Sequence, residues 1–453
     1  MEFNTVNPEN LKTLSSYNYH TDSEIYEIIL KAQQNFEQLK SIDETGRIKI
    51  LQSIAAALQT DRSVLATLIS VEMGKPIKDS LAEIDKSIFS LQYASQNFTG
   101  MMNSETPGAH YKQTVLIKQP LGVILAVMPW NYPLWQVIRV AVVSVLNGNS
   151  LIIKHSDITA GSAEKIVSIL NSTVPVAENL RIPHSKIEMV VKNKTIRAVT
   201  FTGSQSGGSV IASLAGKYLK KSVLELGGND CYVIFKDADL EKSAQICAMA
   251  KMVNNGQACI SAKRFLIESS IKAEFLDLFF TELQKLKLGL AQNPSTDRGA
   301  LAHQRFVVQL KKQVSEHLST GGKLVFSEKL PPEFSETSYH PIQIVETNVD
   351  HPHFKNQEYF GPVGMVAEFT DSDQVVKAIN DSEYGLGAAL FAKNLNLANE
   401  IATGLQVGMV AVNAMIKSDI RVPFGGVRGS GYGKELGKPG FYEFINHQFV
   451  GFD

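Results

Sequence analysis

AVTFTGSQSGGSVIASLAG, residues 198–216, is the stretch from which the fold can be read. It opens on an apolar, β-branched run, turns at a polar segment framed by Gly203 and Gly208, and continues with a helical pattern. A strand, a glycine turn and a helix in that order aim backbone N–H groups, and the positive end of a helix dipole, at one point where a pyrophosphate could sit. The spacing is G-x-x-x-x-G rather than G-x-G-x-x-G, so taken alone it also fits an ordinary βα turn.

Working outward, TVLIK (114–118), VILAVM (123–128), SLIIK (150–154) and CYVIF (231–235) are strand-like, and helical patterns fit 133–146, 161–170 and 207–219. Such alternation predicts a parallel, doubly wound α/β sheet, which binds ligands at the carboxyl ends of its strands. A second alternation follows: RFLIES (264–269), a helix over 271–287, GMVAEF (364–369), a helix over 373–380 and GAALFAK (387–393). RVPFGGVRGSGYG (421–433) reads as a loop. Residues 22–100 read as helices, with Ile50, Leu51, Ile54, Leu58, Leu65 and Leu68 near a 3.6-residue period. Two α/β lobes are the simplest account, as 453 residues predict two or three domains.

Bulk properties exclude several functions. Lys plus Arg (44) balances Asp plus Glu (45), so no field draws in nucleic acid or an anionic membrane. Cys231, Cys247 and Cys259 are odd in number and form no C-x-x-C. That argues against a disulfide framework and against zinc, and a reducing cytoplasm is expected. MEFNTVNPENLKTL has no basic region followed by an apolar run, so no signal peptide is expected. LGVILAVM and VAVVSVL fall short of the ~18 residues of a spanning helix.

Four segments carry chemical potential. In NNGQACISAKRF (254–265), Cys259 follows the turn-formers Asn254, Asn255 and Gly256, and is either a small core residue or a nucleophile. In VMPWNYPLWQVIR (127–139), Asn131 stands between Trp130 and Tyr132 with a proline on each side. A rigid amide there could donate to a developing oxyanion; a turn asparagine is the plainer alternative. In VLELGGND (223–230), Glu225 sits inside an apolar run. It is either a carboxylate of raised pKa suited to general-base work or a buried structural acid with a partner. In SLIIKHSD (150–157), Lys154 and Asp157 could hydrogen-bond an adenosine ribose, or form a solvated loop ion pair. A carboxylate there repels a 2′-phosphate and favours NAD over NADP.

Together these motifs resemble the NAD(P)-dependent aldehyde dehydrogenase superfamily. PWNYP, the Lys154 strand, FTGS with Gly208, ELGG, GQAC, EYFGPV and PFGG occur in that family's order, from TVNP (5–8) to FINHQFV (444–450). The resemblance implies a Rossmann-like coenzyme lobe (1–105 and 120–226), a catalytic lobe (227–435) and a small β oligomerisation arm (106–119 and 436–453). It makes Cys259 the catalytic thiolate, Asn131 with the Cys259 N–H the oxyanion hole, and Glu225 the base that activates water. It places Trp130, Lys154, Asp157, Gly203, Ser204, Gly208, Leu226, Gly227, Glu358 and Phe360 against NAD, with NADP possible. No metal is required.

PLWQVIR, KHSD, ACISAKRF and MIKSDIRVPFGGVRGSGYGKEL resemble the short bacterial succinate-semialdehyde dehydrogenases most closely. That likeness implies Arg139 as anchor for a distal carboxylate, with Ser418 and Trp135 beside it. Val253 departs from the pattern, because the resemblance implies a polar or cationic side chain six residues before Cys259; a neutral aldehyde is the alternative substrate. The segment between the Lys154 strand and FTGS is also a few residues shorter than the family's usual length. A homodimer or homotetramer is expected. A CoA-acylating enzyme fits less well, since Glu225 is present, and a non-catalytic binding protein is the remaining alternative.

Overall fold

The computed structural model describes residues 2–453. The strand Ile196–Thr202 lies inside a six-stranded sheet. The sheet's order is Gly431–Tyr432, Lys221–Glu225, Ile196–Thr202, Val123–Met128, Ser150–His155, Ala177–Asn179. Every pairing is parallel except the short Gly431–Tyr432 edge. Side chains alternate between faces along each strand. Ile124, Ala126, Leu151 and Ile153 pack with the helices Glu44–Thr60, Ile77–Asn97 and Trp135–Asn147. Val123, Leu125 and Ile152 pack with the helix Asp22–Ser41 on the other face. Both faces are covered, which is why these strands read as unbroken apolar runs.

The second lobe is a seven-stranded sheet ordered Lys323–Ser327, Gln343–Glu346, Val363–Phe369, Arg264–Glu268, Cys231–Ile234, Gly387–Phe391, Met409–Val412. Only Lys323–Ser327 runs antiparallel. The α/β architecture expected from the alternation is therefore present in both halves.

Three features depart from the expected pattern. Gln113–Pro120, whose TVLIK was grouped with the alternating strands, stands outside the parallel sheet; it pairs antiparallel with Ile445–Phe452 in a two-stranded ribbon, bringing together the two stretches the resemblance set apart as an arm. Gly431–Tyr432 falls within 227–435 yet completes the first sheet, so the segment read as a loop returns to the other lobe. Glu2–Val6 and Thr13–Asn18 form a hairpin that sequence patterning did not predict. No helix among the described residues is long and apolar enough to cross a membrane.

Candidate active site

The turn after Ile196–Thr202 builds the first wall. Ser204 caps the helix Gln205–Lys217, its hydroxyl accepting the Gly207 N–H at 3.2 Å. A side chain at Gly208 would meet the Leu226 methyls, so glycine lets that leucine pack directly on the helix. The result is an open helix N-terminus, the geometry that receives a pyrophosphate.

The Cys259 loop forms the opposite wall. The helix Leu240–Met252 stops at Val253, and Asn254 (φ 51°), Asn255 (φ 58°) and Gly256 (φ 76°) all take left-handed backbone. Asparagine tolerates this conformation better than other non-glycine residues. Here its side chains also hold the loop. Asn254 donates to the Asn131 carbonyl at 2.7 Å and Asn255 to the Ala300 carbonyl at 3.0 Å. A side chain at Gly256 would overlap the Gly361 carbonyl, so the GQAC and EYFGPV segments are pressed together. Lys263, fully buried, donates to the carbonyls of Ala258 (2.7 Å) and Cys259 (2.5 Å) and stands 3.5 Å from Glu358.

Cys259 and Asn131 line one cavity of about 240 Å³. The Asn131 amide is fixed at both ends: its Nδ2 donates to the Gln257 carbonyl at 2.9 Å, and its Oδ1 accepts from Gln136 at 2.9 Å. The second N–H of that amide has no acceptor among the described residues. Trp130, Gly203, Ser204, Leu226, Gly227, Glu358 and Phe360 line the same cavity. Lys154 and Asp157 line an adjoining cavity of about 580 Å³ that shares Trp130, Gly203 and Ser204. Gly208 supports the cradle from behind through Leu226.

Cys259 is the one partly exposed cysteine; Cys231 and Cys247 are buried. Burial pushes the Cys259 thiol up to about 12, with Glu225 and Asp230 adding to the rise and Lys263 and Arg139 opposing it. Glu225 lies outside the cavity lining, buried, and occupies the space a side chain at 425 would fill. Neither of its oxygens has a hydrogen-bond partner among the described residues. Burial, then repulsion from Glu435, holds its carboxyl well above the usual range.

Arg139, expected as a carboxylate anchor, faces an internal acid. It is 3% exposed, lines neither cavity, and its Nε lies 2.8 Å from Glu435. Its charge is engaged inside the protein. Ser418 and Trp135 meet each other, Trp135 Nε1 donating to Ser418 Oγ at 3.0 Å.

Asp157 accepts a hydrogen bond from Tyr19 at 2.6 Å and lies 3.6 Å from Lys154. Tyr19, Phe306 and Gln313 escaped the sequence reading. Phe306 stacks on Trp130 with ring centroids 4.7 Å apart, and Gln313 also lines the first cavity. Both belong to the helix Gln304–Ser319, whose buried Val307, Leu310 and Val314 carry a legible helical period.

A model of the aldehyde dehydrogenase family matches residues 1–450. The chain belongs to the aldehyde dehydrogenase family. Among aldehyde dehydrogenases, it is 34% identical to a succinate semialdehyde dehydrogenase of Escherichia coli named for NAD(P)+, over 98% of this chain and 97% of that one. It is 32% identical to a probable succinate-semialdehyde dehydrogenase of Synechocystis named for NADP(+), over 99% of each chain. The crystal structure of the Streptococcus pyogenes succinic semialdehyde dehydrogenase, in complex with NADP+, superposes with a TM-score of 0.95 at 29% identity, covering 99% of both chains. The two-lobed architecture is thus that of the aldehyde dehydrogenase fold. The Ser204-capped helix and the continuous cavities running to Lys154 fit a dinucleotide.

Proposed function

We propose that this chain oxidises succinate semialdehyde to succinate with NAD or NADP, through a covalent adduct on Cys259. The observation that carries this is the meeting of Cys259 and the fixed Asn131 amide in one cavity that runs to the Ser204 helix N-terminus. The relatives' names support the substrate.

Each group has a distinct task. Sulfur attack on the aldehyde carbon moves the carbonyl electron pair onto oxygen. The free Asn131 N–H and the Cys259 backbone N–H are the donors for that oxyanion, and loss of one such donor costs roughly 10²–10³ in rate. The thiol, held protonated by burial, gives up its proton to a base. Glu225, whose carboxyl is held above its usual range, is matched to that task; it passes the proton to solvent and, as carboxylate again, takes one from the water that hydrolyses the acyl thioester. To reach a water it swings off Gly425 toward the cavity. Bound coenzyme supplies the hydride acceptor. Ser204 and the helix it caps would hold the pyrophosphate, Lys154 and Asp157 the adenosine ribose, and Glu358, Phe360 and Trp130 the nicotinamide end.

On the same basis, residues 1–105 and 120–226 with Gly431–Tyr432 form the coenzyme-binding part, 227–430 the catalytic part, and the ribbon Gln113–Pro120/Ile445–Phe452 an arm joining subunits of a cytoplasmic homodimer or homotetramer. A neutral aldehyde is the competing substrate, favoured by the partly exposed Val253. Reduced-coenzyme formation with succinate semialdehyde and with butanal tests both. Activity is expected with the semialdehyde preferred, and Cys259→Ala is expected to abolish it; equal rates for the variant and wild type would end this reading.

A further inference from the structure

We infer that the N-terminal hairpin is part of the coenzyme site: Phe3 walls the adenosine cavity, and Tyr19 is the positioning residue that sets the Asp157 carboxylate and with it the choice between NAD and NADP. This rests on the reading above in which Lys154 and Asp157 meet the adenosine ribose, and it places a determinant outside the strand-turn-helix cradle.

The hairpin Glu2–Val6/Thr13–Asn18 is mostly exposed, and a lone two-stranded hairpin is marginal in water. Both lobes hold it. Its turn meets the second lobe: the Pro8 carbonyl accepts the Ser338 N–H at 3.1 Å, and Glu9 accepts the Ala291 N–H at 2.5 Å and the Tyr339 hydroxyl at 2.9 Å. Its outgoing end meets the first lobe: Arg181 Nε donates to the Asn18 carbonyl at 3.2 Å, and the His20 N–H donates to the Arg181 carbonyl at 2.9 Å. Fixed in this way, Glu2–Val6 packs on the turn Asp157–Thr159. Phe3, Asn4 and Val6 line the same cavity of about 580 Å³ as Lys154, Asp157 and Ser204.

Tyr17 and Tyr19, two residues apart, present their rings to one side, and both stack on Phe3 with centroids 5.6 and 4.7 Å away. The stack brings the Tyr19 hydroxyl to Asp157, where it donates to Oδ2 at 2.6 Å; Oδ1 lies 3.6 Å from Lys154. Burial and the neighbouring carboxylate hold this phenol above its usual range, so it remains a donor. Among the described residues, Asp157 is the one carboxylate in the lining of that cavity, and Lys154 and Arg305 stand against it. A 2′-phosphate entering there meets two cations and a single acid, so the orientation of that acid decides whether the phosphate is repelled. With one oxygen held by Tyr19, the carboxylate stays beside Lys154, where it accepts ribose hydroxyls and opposes a phosphate. Without the phenol it is free to turn away.

The test measures the Kd of NAD and of NADP by isothermal titration calorimetry, without aldehyde, for wild type, Tyr19→Phe, Asp157→Ser, the double variant and Phe3→Ala. Tyr19→Phe keeps the ring and its stack on Phe3 and removes only the hydroxyl. It is expected to raise the Kd of NAD roughly five- to tenfold and that of NADP at most about twofold. The double variant is expected to match Asp157→Ser, because Tyr19 acts through that carboxylate. Phe3→Ala is expected to raise both Kd values alike, roughly threefold or more, at an unchanged ratio. A Tyr19→Phe enzyme with the wild-type ratio, while Asp157→Ser shifts it, overturns the role of Tyr19 and leaves the ribose placement standing. A wild-type ratio in both variants overturns the two together. Unchanged Kd values in Phe3→Ala remove the hairpin from the cavity wall.

Discussion

The Nε of Arg139 lies 2.8 Å from Glu435, and both side chains are buried beside Glu225. Arg139 lowers the pKa of each carboxyl against the burial that raises it, and Glu435 pushes Glu225 further up. Arg139→Met would leave two buried acids facing one another. Breaking such a pair costs about 3–5 kcal/mol. The melting temperature is therefore expected to fall, and activity on charged and neutral aldehydes to fall together. A variant with wild-type melting and a loss confined to the semialdehyde would return Arg139 to the anchor role.

Cys259 should alkylate in a pH-dependent way that reports its burial. With the thiol pushed up to about 12, the thiolate fraction in free enzyme grows about tenfold per pH unit across pH 7–9. Iodoacetamide labelling followed by peptide mass spectrometry should show that slope at Cys259 and no labelling of the buried Cys231 or Cys247. A plateau near pH 7 would mean that another group already ionises the thiol.

Coenzyme choice should turn on Asp157. Its carboxylate, held by Tyr19 and near Lys154, lines the adenosine-side cavity. Asp157→Ser removes repulsion toward a 2′-phosphate and leaves Lys154 without its carboxylate. The ratio of kcat/KM for NADP over NAD is expected to rise about tenfold, equivalent to roughly 1.4 kcal/mol. An unchanged ratio would place the ribose elsewhere.

Phe449 and Phe452 on the two-stranded ribbon are 56% and 50% exposed, an unusual cost for an isolated chain. Phe449→Asp is expected to reduce the assembly size seen by light scattering. Identical masses for variant and wild type would remove the ribbon from the interface.

Much of the site was legible because its chemistry sits on local signals. The Ser204 cap, the glycines around it and the left-handed Asn254–Asn255–Gly256 run are matters of backbone conformation within a few residues. The N-terminal hairpin was not legible: Thr13–Asn18 is mostly exposed, so TLSSYN shows no alternation of buried and open positions. The partner of Arg139 was hidden for another reason. An arginine in an apolar helix announces a need for an anion but not which one, and Glu435 is 296 positions away.

By itself the sequence determined two α/β lobes and the strand-turn-helix cradle, and singled out Cys259 among three cysteines. These follow from side-chain periodicity and turn chemistry, which act over a few residues. Tertiary structure alone decided the electrostatics: Arg139 set against Glu435, Glu225 left without a partner, Lys86 without an ion pair beside Ser418. Charges pair through space, and in a low-dielectric interior the groups brought within a few ångströms by the fold outweigh the neighbours in the chain.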